Sequence, residues 1–369
     1  MTFPVHRSIV VMPYRASIID RRPFPIAHHM TRYLPLLPLF AAACASPSAA
    51  PAAPAPVPVP AVSEAWVRTT LSVLADDSMQ GRRTATPGAA KASRYIAAQM
   101  KAVGLEPLGD SGYFQRVPII VRANGRLAPA RTAADTVGQR TVTDVNVVGF
   151  LRGADPALRG EVILVDAHFD HLGIGPAVNG DSIYNGADDD ASGVTTVLAV
   201  ARALAAGPRP RRSVLFVTTT GEELGLFGTN WLIGHFPVPI DSVKANLETE
   251  MIGRPDTLIG AGHAWLTGWE RTTMGPMFKA AGLPIVADPH PSEQFFMRSD
   301  NIAFAMIGIP AQTLSSYGLH ADYHQPSDDL AHADIPHMTK VIAAAIDAVR
   351  LLADGAPVEW MPGGRPTPR

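Results

Sequence analysis

The stretch "EVILVDAHFD", Glu161–Asp170, sets four consecutive apolar residues against a polar end in which His168 and Asp170 flank Phe169. A short, β-branched run without alternation reads as a strand buried on both faces, and its polar end as the point where that strand leaves the core. Outward from it the chain alternates. "GVTTVLAVARALAAG" (193–207) reads as a helix, "SVLFVTTT" (213–220) as a strand, "LFGTNWLIGHF" (226–236) as a helix and "VKANLETEM" (243–251) as a strand. "IPAQTLSS" (309–316) is a further strand and "IPHMTKVIAAAIDAVRLLA" (335–353) a closing helix. Upstream, "AWVRTTLSVLADD" (65–77) and "GAAKASRYIAAQMKAVG" (88–104) read as helices joined through the turn-rich "GRRTATPG". The expected fold is α/β in three layers, with a central mixed, mostly parallel sheet covered by helices on both faces.

In such sheets functional groups gather beyond the carboxyl ends of the strands. His168 and Asp170 follow one strand, Glu222 and Glu223 in "TGEELG" another, and Glu250 in "ETEMIGRP" ends a third. "YNGADDDASG" (184–193) adds three adjacent aspartates before a helix, and "DYHQPSDD" (322–329) adds His324. Adjacent carboxylates repel one another unless a cation or water sits among them. Taken singly, an acid-rich helix start or a Glu pair is ordinary decoration of a helix dipole. Taken together, His168, Asp189, Glu223, Glu250 and His324 form a nitrogen and oxygen donor set in which each member stands at a strand end or turn. Strand alternation puts Glu248 on the same face as Glu250, so spacing alone leaves both open.

These motifs, His-x-Asp, Gly-Ala-x-Asp-x-x-x-Gly, Gly-Glu-Glu-x-Gly and Tyr-His-x-Pro-x-Asp in that order, resemble the co-catalytic zinc aminopeptidases of metallopeptidase family 28. The resemblance covers about Ala65 to Ala353, without a protease-associated insert. It implies the zinc-exopeptidase fold and two zinc ions per chain, with Asp189 bridging them. His168 and Glu250 would complete one metal and Glu223 and His324 the other. Glu222 would be the general base toward a water shared by the metals, Asp170 would bond the far nitrogen of His168, and Tyr323 would donate to the oxyanion or simply pack beside His324. Asp188 and Asp190 are then turn and capping residues, Asp300 and Asp328 supports near the site, and His171 and His320 rim residues or partners of acids. The family pattern usually has Asp where Glu250 stands. Two divalent cations against three carboxylates and one hydroxide make a neutral site, and a donor set without sulfur suits zinc, with cobalt or manganese as substitutes.

The implied function is removal of N-terminal residues from peptides. Its alternatives on the same fold are a dipeptidase or carboxypeptidase, a one-zinc glutaminyl cyclase and a metal-free binding protein. Neither a Gly-x-Ser-x-Gly elbow nor a His-Glu-x-x-His helix is present to point elsewhere.

Composition narrows the setting. A net charge of −2 without a long basic run offers nothing to nucleic acid, and a single cysteine excludes both an internal disulfide and a thiolate zinc site. "MTRYLPLLPLFAAACASPSAA", from Met30, runs from charge through an apolar core into small residues and reads as an export signal over 30–44. Cys44 sits as in a loose lipobox, which gives a lipid anchor; an ordinary cleavage site after Ala43 or Ala45 is the other reading. The expected location is periplasmic, outer-membrane-anchored or secreted. Residues 1–29 carry no pattern and are expected not to belong to the natural product. The Pro/Ala tract over 45–62 reads as an extended spacer, 63–359 as one catalytic domain and 360–369 as a disordered tail.

Overall fold

Four parallel strands carry the fold, and nearly every residue in them is buried. They are β5 (Val162–His168), β8 (Ser213–Thr219), β9 (Val243–Thr249) and β12 (Ala311–Ser315), ordered β12-β9-β5-β8. The structure, a computed structural model, describes residues 62–367. Residues 1–29, the expected export signal, Cys44 and nearly all of the Pro/Ala spacer lie outside the described residues.

The parallel character is confined to this centre. On one flank β8 pairs antiparallel with β4 (Thr141–Leu151), β4 with β2 (Phe114–Val121) and with the short β1 (Glu106–Pro107), and β2 with β3 (Leu127–Pro129). On the other, β12 pairs antiparallel with β10 (Ala264–Leu266), which runs parallel to β11 (Ile285–Ala287). A separate hairpin, β6 (Gly173–Val178) with β7 (Asp181–Tyr184), fills the stretch between His168 and the aspartate run.

Both faces of the sheet are covered, as the unbroken apolar run of β5 requires. Ile163, Val165 and Ala167 enter a core with α1 (Glu64–Leu74), α2 (Pro87–Ala102), α3 (Gly193–Ala206) and α7 (Ile335–Asp354). Val162 and Leu164 point the other way, into a core with Leu232 of α4 (Phe227–Gly234) and Phe304 of α6 (Asn301–Met306). The remaining helix, α5 (Met274–Ala280), adds Met274 and Phe278 to the first of these cores. Helix starts follow local chemistry: Thr86 caps α2 ahead of Pro87, and Asp334 accepts the amide of His337 at the start of α7.

The end of the chain differs from expectation. Trp360 bridges to Thr272 and donates its indole N–H to the carbonyl of Gly308 at 2.9 Å, the amide of Met361 bonds Arg271 at 2.8 Å, and Arg271 donates to Gly364 at 2.9 Å. The ordered body therefore continues through Gly364, past the boundary read at 359, because one indole and one guanidinium tie a Gly- and Pro-rich segment that has no apolar periodicity of its own.

Candidate metal centre

The parallel register brings the ends of β5, β8 and β9 level, with His168 opposite Thr219 and Asp166 opposite Glu248. Residues just beyond those ends meet in one cleft. Nε2 of His168 lies 3.2 Å from Oδ1 of Asp189 and 3.7 Å from Oε1 of Glu250. Nε2 of His324 lies 3.1 Å from Oδ2 of Asp189 and 3.3 Å from Oε2 of Glu223. Asp189 thus presents one oxygen to each group. All five residues singled out in the sequence are brought together.

The alternative at Glu248 is resolved by burial. Glu248 is fully buried in the layer below, bonded to Ser299, Thr313 and the amides of Asp300 and Asn301, while Glu250 opens into the cleft. The three aspartates divide as expected. Asp188 accepts from the amide of Gly253 at 2.6 Å and faces Nε2 of His320 at 2.8 Å, so His320 pairs with an acid. Asp190 accepts from Gly193 and Met251 at 2.9 and 3.1 Å, tying the start of α3 to the Glu250 loop. Asp328 receives the amides of Asp188 and Asp189 at 2.9 and 3.0 Å and so fixes the bridging loop. Asp300 is not at the cleft; it lies beneath it, between the hydroxyls of Thr219 and Thr229.

One expectation changes. Nδ1 of His168 faces the main-chain oxygen of Asp170 at 3.1 Å, and the Asp170 carboxylate stands 3.9 Å away. The carboxylate instead accepts the amide of Glu222 at 3.1 Å and the hydroxyl of Thr84 at 2.9 Å, because the chain turns back immediately after β5 and carries the side chain toward the Glu222 loop. Of the two readings of His171, the partner of an acid holds and the rim does not: it is buried, with Nδ1 2.8 Å from Oε1 of Glu223.

Sequence reading also missed Arg82. Fully buried, it donates to the main-chain oxygens of Leu74, Phe169, Asn185 and Gly186 at 2.5–2.8 Å, clamping the loop after β5 to the loop before the aspartates. Burial lowers its pKa, and Asp328, Asp189, Asp190 and Asp170 around it act in the opposite sense. The only signal was a doubled arginine in a turn.

The donor set fits a cation. Nε2 of His168, Oδ1 of Asp189, Oε1 of Glu223 and Nε2 of His324 are buried and have no hydrogen-bond partner, a costly state that a metal relieves. The protons show the same pull. Burial opposes charge on His324, yet Asp189 and Glu223 outweigh it and raise the imidazole to about 10. Burial also raises Glu222 well above the carboxylate range; His168 opposes this, and Glu250, Asp300 and Glu223 add to it. Tyr323 stacks on His324 at 3.9 Å, and burial, with Asp189, Glu223 and Glu250 beside it, pushes its hydroxyl upward and keeps it protonated. Beside Glu222 opens a cavity of about 60 Å³ walled by Trp265, Phe295, Tyr317 and Tyr323 with Arg298 at its edge. A wider cavity of about 930 Å³ near Asp76 and Asp329 holds none of these donors.

Known proteins resemble the chain in sequence and in fold. Residues 146–349 match the model of the family described as Peptidase family M28. A probable leucine aminopeptidase 2 from Aspergillus oryzae is 30% identical over 185 residues, covering 47% of this chain and 34% of that protein. The chain therefore spans about a third of that relative's length. Among solved structures, the aminopeptidase from Aneurinibacillus sp. strain AM-1 superposes with a TM-score of 0.59 at 17% identity over 81% of this chain and 96% of its own. The zinc aminopeptidase BSAP from Bacillus subtilis gives 0.59 at 15% identity over 81% and 97%. Those two likenesses are of fold.

Proposed function

This chain belongs to peptidase family M28, and from that premise we propose that it is an exported two-zinc aminopeptidase that hydrolyses the first peptide bond of a peptide substrate. One observation carries the reading: the two oxygens of Asp189 face opposite ways, Oδ1 to His168 and Oδ2 to His324. A carboxylate so placed suits a position between two cations. His168, Asp189 and Glu250 would hold one, and Asp189, Glu223 and His324 the other.

Bound there, the cations supply Lewis acidity toward a carbonyl and make water more acidic. The remaining work falls to the chain itself. Glu222, its carboxyl raised by burial, receives the proton of the attacking water and returns it to the departing amine. The Asp170 carboxylate holds the Glu222 amide, so Asp170 acts by positioning the base. Tyr323, neutral in this setting, offers its O–H to the oxygen that gains charge. The aromatic walls beside Glu222 suit a small apolar side chain on the substrate's first residue, and the surrounding carboxylates attract its free ammonium. The apolar leader and Cys44 support export, with the enzyme lipid-anchored or released.

Metal analysis of the purified protein tests the reading: about two zinc per chain is expected, one would favour a cyclase and none a binding module. Glu222→Gln is expected to keep metal and fold while turnover falls by about 10²–10⁴-fold. Hydrolysis confined to N-blocked substrates would overturn the aminopeptidase assignment.

A further inference from the structure

We propose that His171 is an additional ligand of the second cation, so that the pair is held by three imidazoles and not two. The inference rests on the metal-dependent reading above. It starts from an anomaly of geometry. Nδ1 of His171 is 2.8 Å from Oε1 of Glu223, a distance at which nitrogen and carboxylate normally share a proton, yet neither atom has a hydrogen-bond partner. The two stand side by side, off the line a hydrogen bond needs.

The same state marks the other donors of the centre. Nε2 of His168, Oδ1 of Asp189 and Nε2 of His324 are likewise buried and unpartnered. Two tetrahedral zinc ligands at ordinary bond lengths are about 3.4 Å apart. Around the second position the separations are 2.8 Å (His171 to Glu223), 3.1 Å (His324 to Asp189), 3.3 Å (His324 to Glu223) and 3.8 Å (His171 to Asp189), which bracket that edge. Nδ1 of His171, Asp189 and Glu223 therefore lie close enough together to hold one ion, with His324 reaching Oδ2 of Asp189 and Oε2 of Glu223 beside them.

The ring is also held there by its surroundings. It lies edge-on to His324, with centroids 5.6 Å apart and planes at 70°. Beneath it is Gly186, where a Cβ would come 2.5 Å from Cγ and 2.6 Å from Cδ2 of His171, and whose φ of +57° suits glycine. The missing side chain leaves the space that the imidazole occupies. A histidine serving only to orient Glu223 would donate a straight N–H to it, which this one does not.

X-ray absorption at the zinc edge on the full-length, zinc-loaded protein decides the matter. Three imidazoles per two zinc ions are expected in the wild type and two in His171→Ala, with the second zinc lost to a competing chelator at least about 10-fold more readily in the variant. Two imidazoles in the wild type, with chelation unchanged in His171→Ala, would overturn the inference alone. A wild-type chain that takes up no zinc would overturn it together with the reading it rests on. Should His171→Ala fail to fold, the wild-type imidazole count still decides.

Discussion

Two clusters of carboxylates lie one above the other at the ends of the same strands, and they have opposite characters. In the cleft, Asp189, Glu223 and Glu250 face imidazoles, and the facing atoms of Asp189 and Glu223 have no hydrogen-bond donor. Below it, Asp166, Glu248 and Asp300 approach one another as closely, with no histidine among them. There Glu248 receives two hydroxyls and two amides, Asp300 receives two hydroxyls, and one oxygen of Asp166 receives Asn246 at 2.5 Å; only Oδ2 of Asp166 is open. Proximity of acids is thus not a metal signature by itself. What separates the clusters is whether their lone pairs are already spoken for, and the lower one resolves its crowding with protons: burial first, then the neighbouring acids, raises Glu248 to about 8 and Asp166 well above its ordinary value.

The largest effect that could break this contrast is on metal binding. Asp189→Asn removes the oxygen shared by both groups, so zinc affinity should fall by at least about 100-fold. Asp166→Asn should leave the full complement. Equilibrium dialysis followed by elemental analysis of both variants reads the difference; equal losses would mean that the lower cluster also holds metal.

Next in size is the cation that the protein itself supplies to the cleft. Arg82 ties four main-chain oxygens behind the aspartates. Arg82→Met leaves those acceptors unpaired in a buried site and should cost about 3–5 kcal/mol in urea unfolding of the metal-loaded protein. A loss under about 1 kcal/mol would show the clamp to be incidental.

The division between what the sequence showed and what it hid follows the same physics. β5 and β8 were legible because burial on both faces leaves a continuous apolar run, and His168, Glu223 and Glu250 because they stand at or just past strand ends. The antiparallel flank was less so: β2, with Gln115 and Arg116 among apolar neighbours, carries no sign of its direction. Arg82 and His171 were hidden for a different reason. Their roles arise from loops that meet only in the folded chain, Arg82 with Gly186 across 104 positions and His171 with Glu223 through a turn after β8. Asp170 was misassigned because a two-residue spacing after a strand does not say whether the carboxylate or the carbonyl turns toward the imidazole. The lower cluster was invisible as a unit, since Asp166 and Glu248 lie inside two different strands and Asp300 on another element.

The smallest effect sharpens the contrast through pH. Asp166 is ordinarily an acid of pKa 3.8, and in the folded protein burial, then Glu248 and Asp300, raise it well above that. The folded state therefore keeps a proton that the unfolded chain releases, and stability contributed at this position falls as pH rises from about 4 toward the folded pKa. Asparagine mimics the protonated acid: its oxygen can still receive Asn246, and its amide replaces the proton-bearing Oδ2. Asp166→Asn should accordingly be near neutral below about pH 4 and increasingly stabilising as pH rises toward the folded pKa, by about 1.4 kcal/mol for each unit separating the folded from the unfolded pKa. Urea unfolding of the metal-loaded wild type and variant at three pH values gives the slope. A difference that stays flat with pH would mean that Asp166 is ionised in the folded protein, and then the lower cluster, like the upper, would need a cation to explain it.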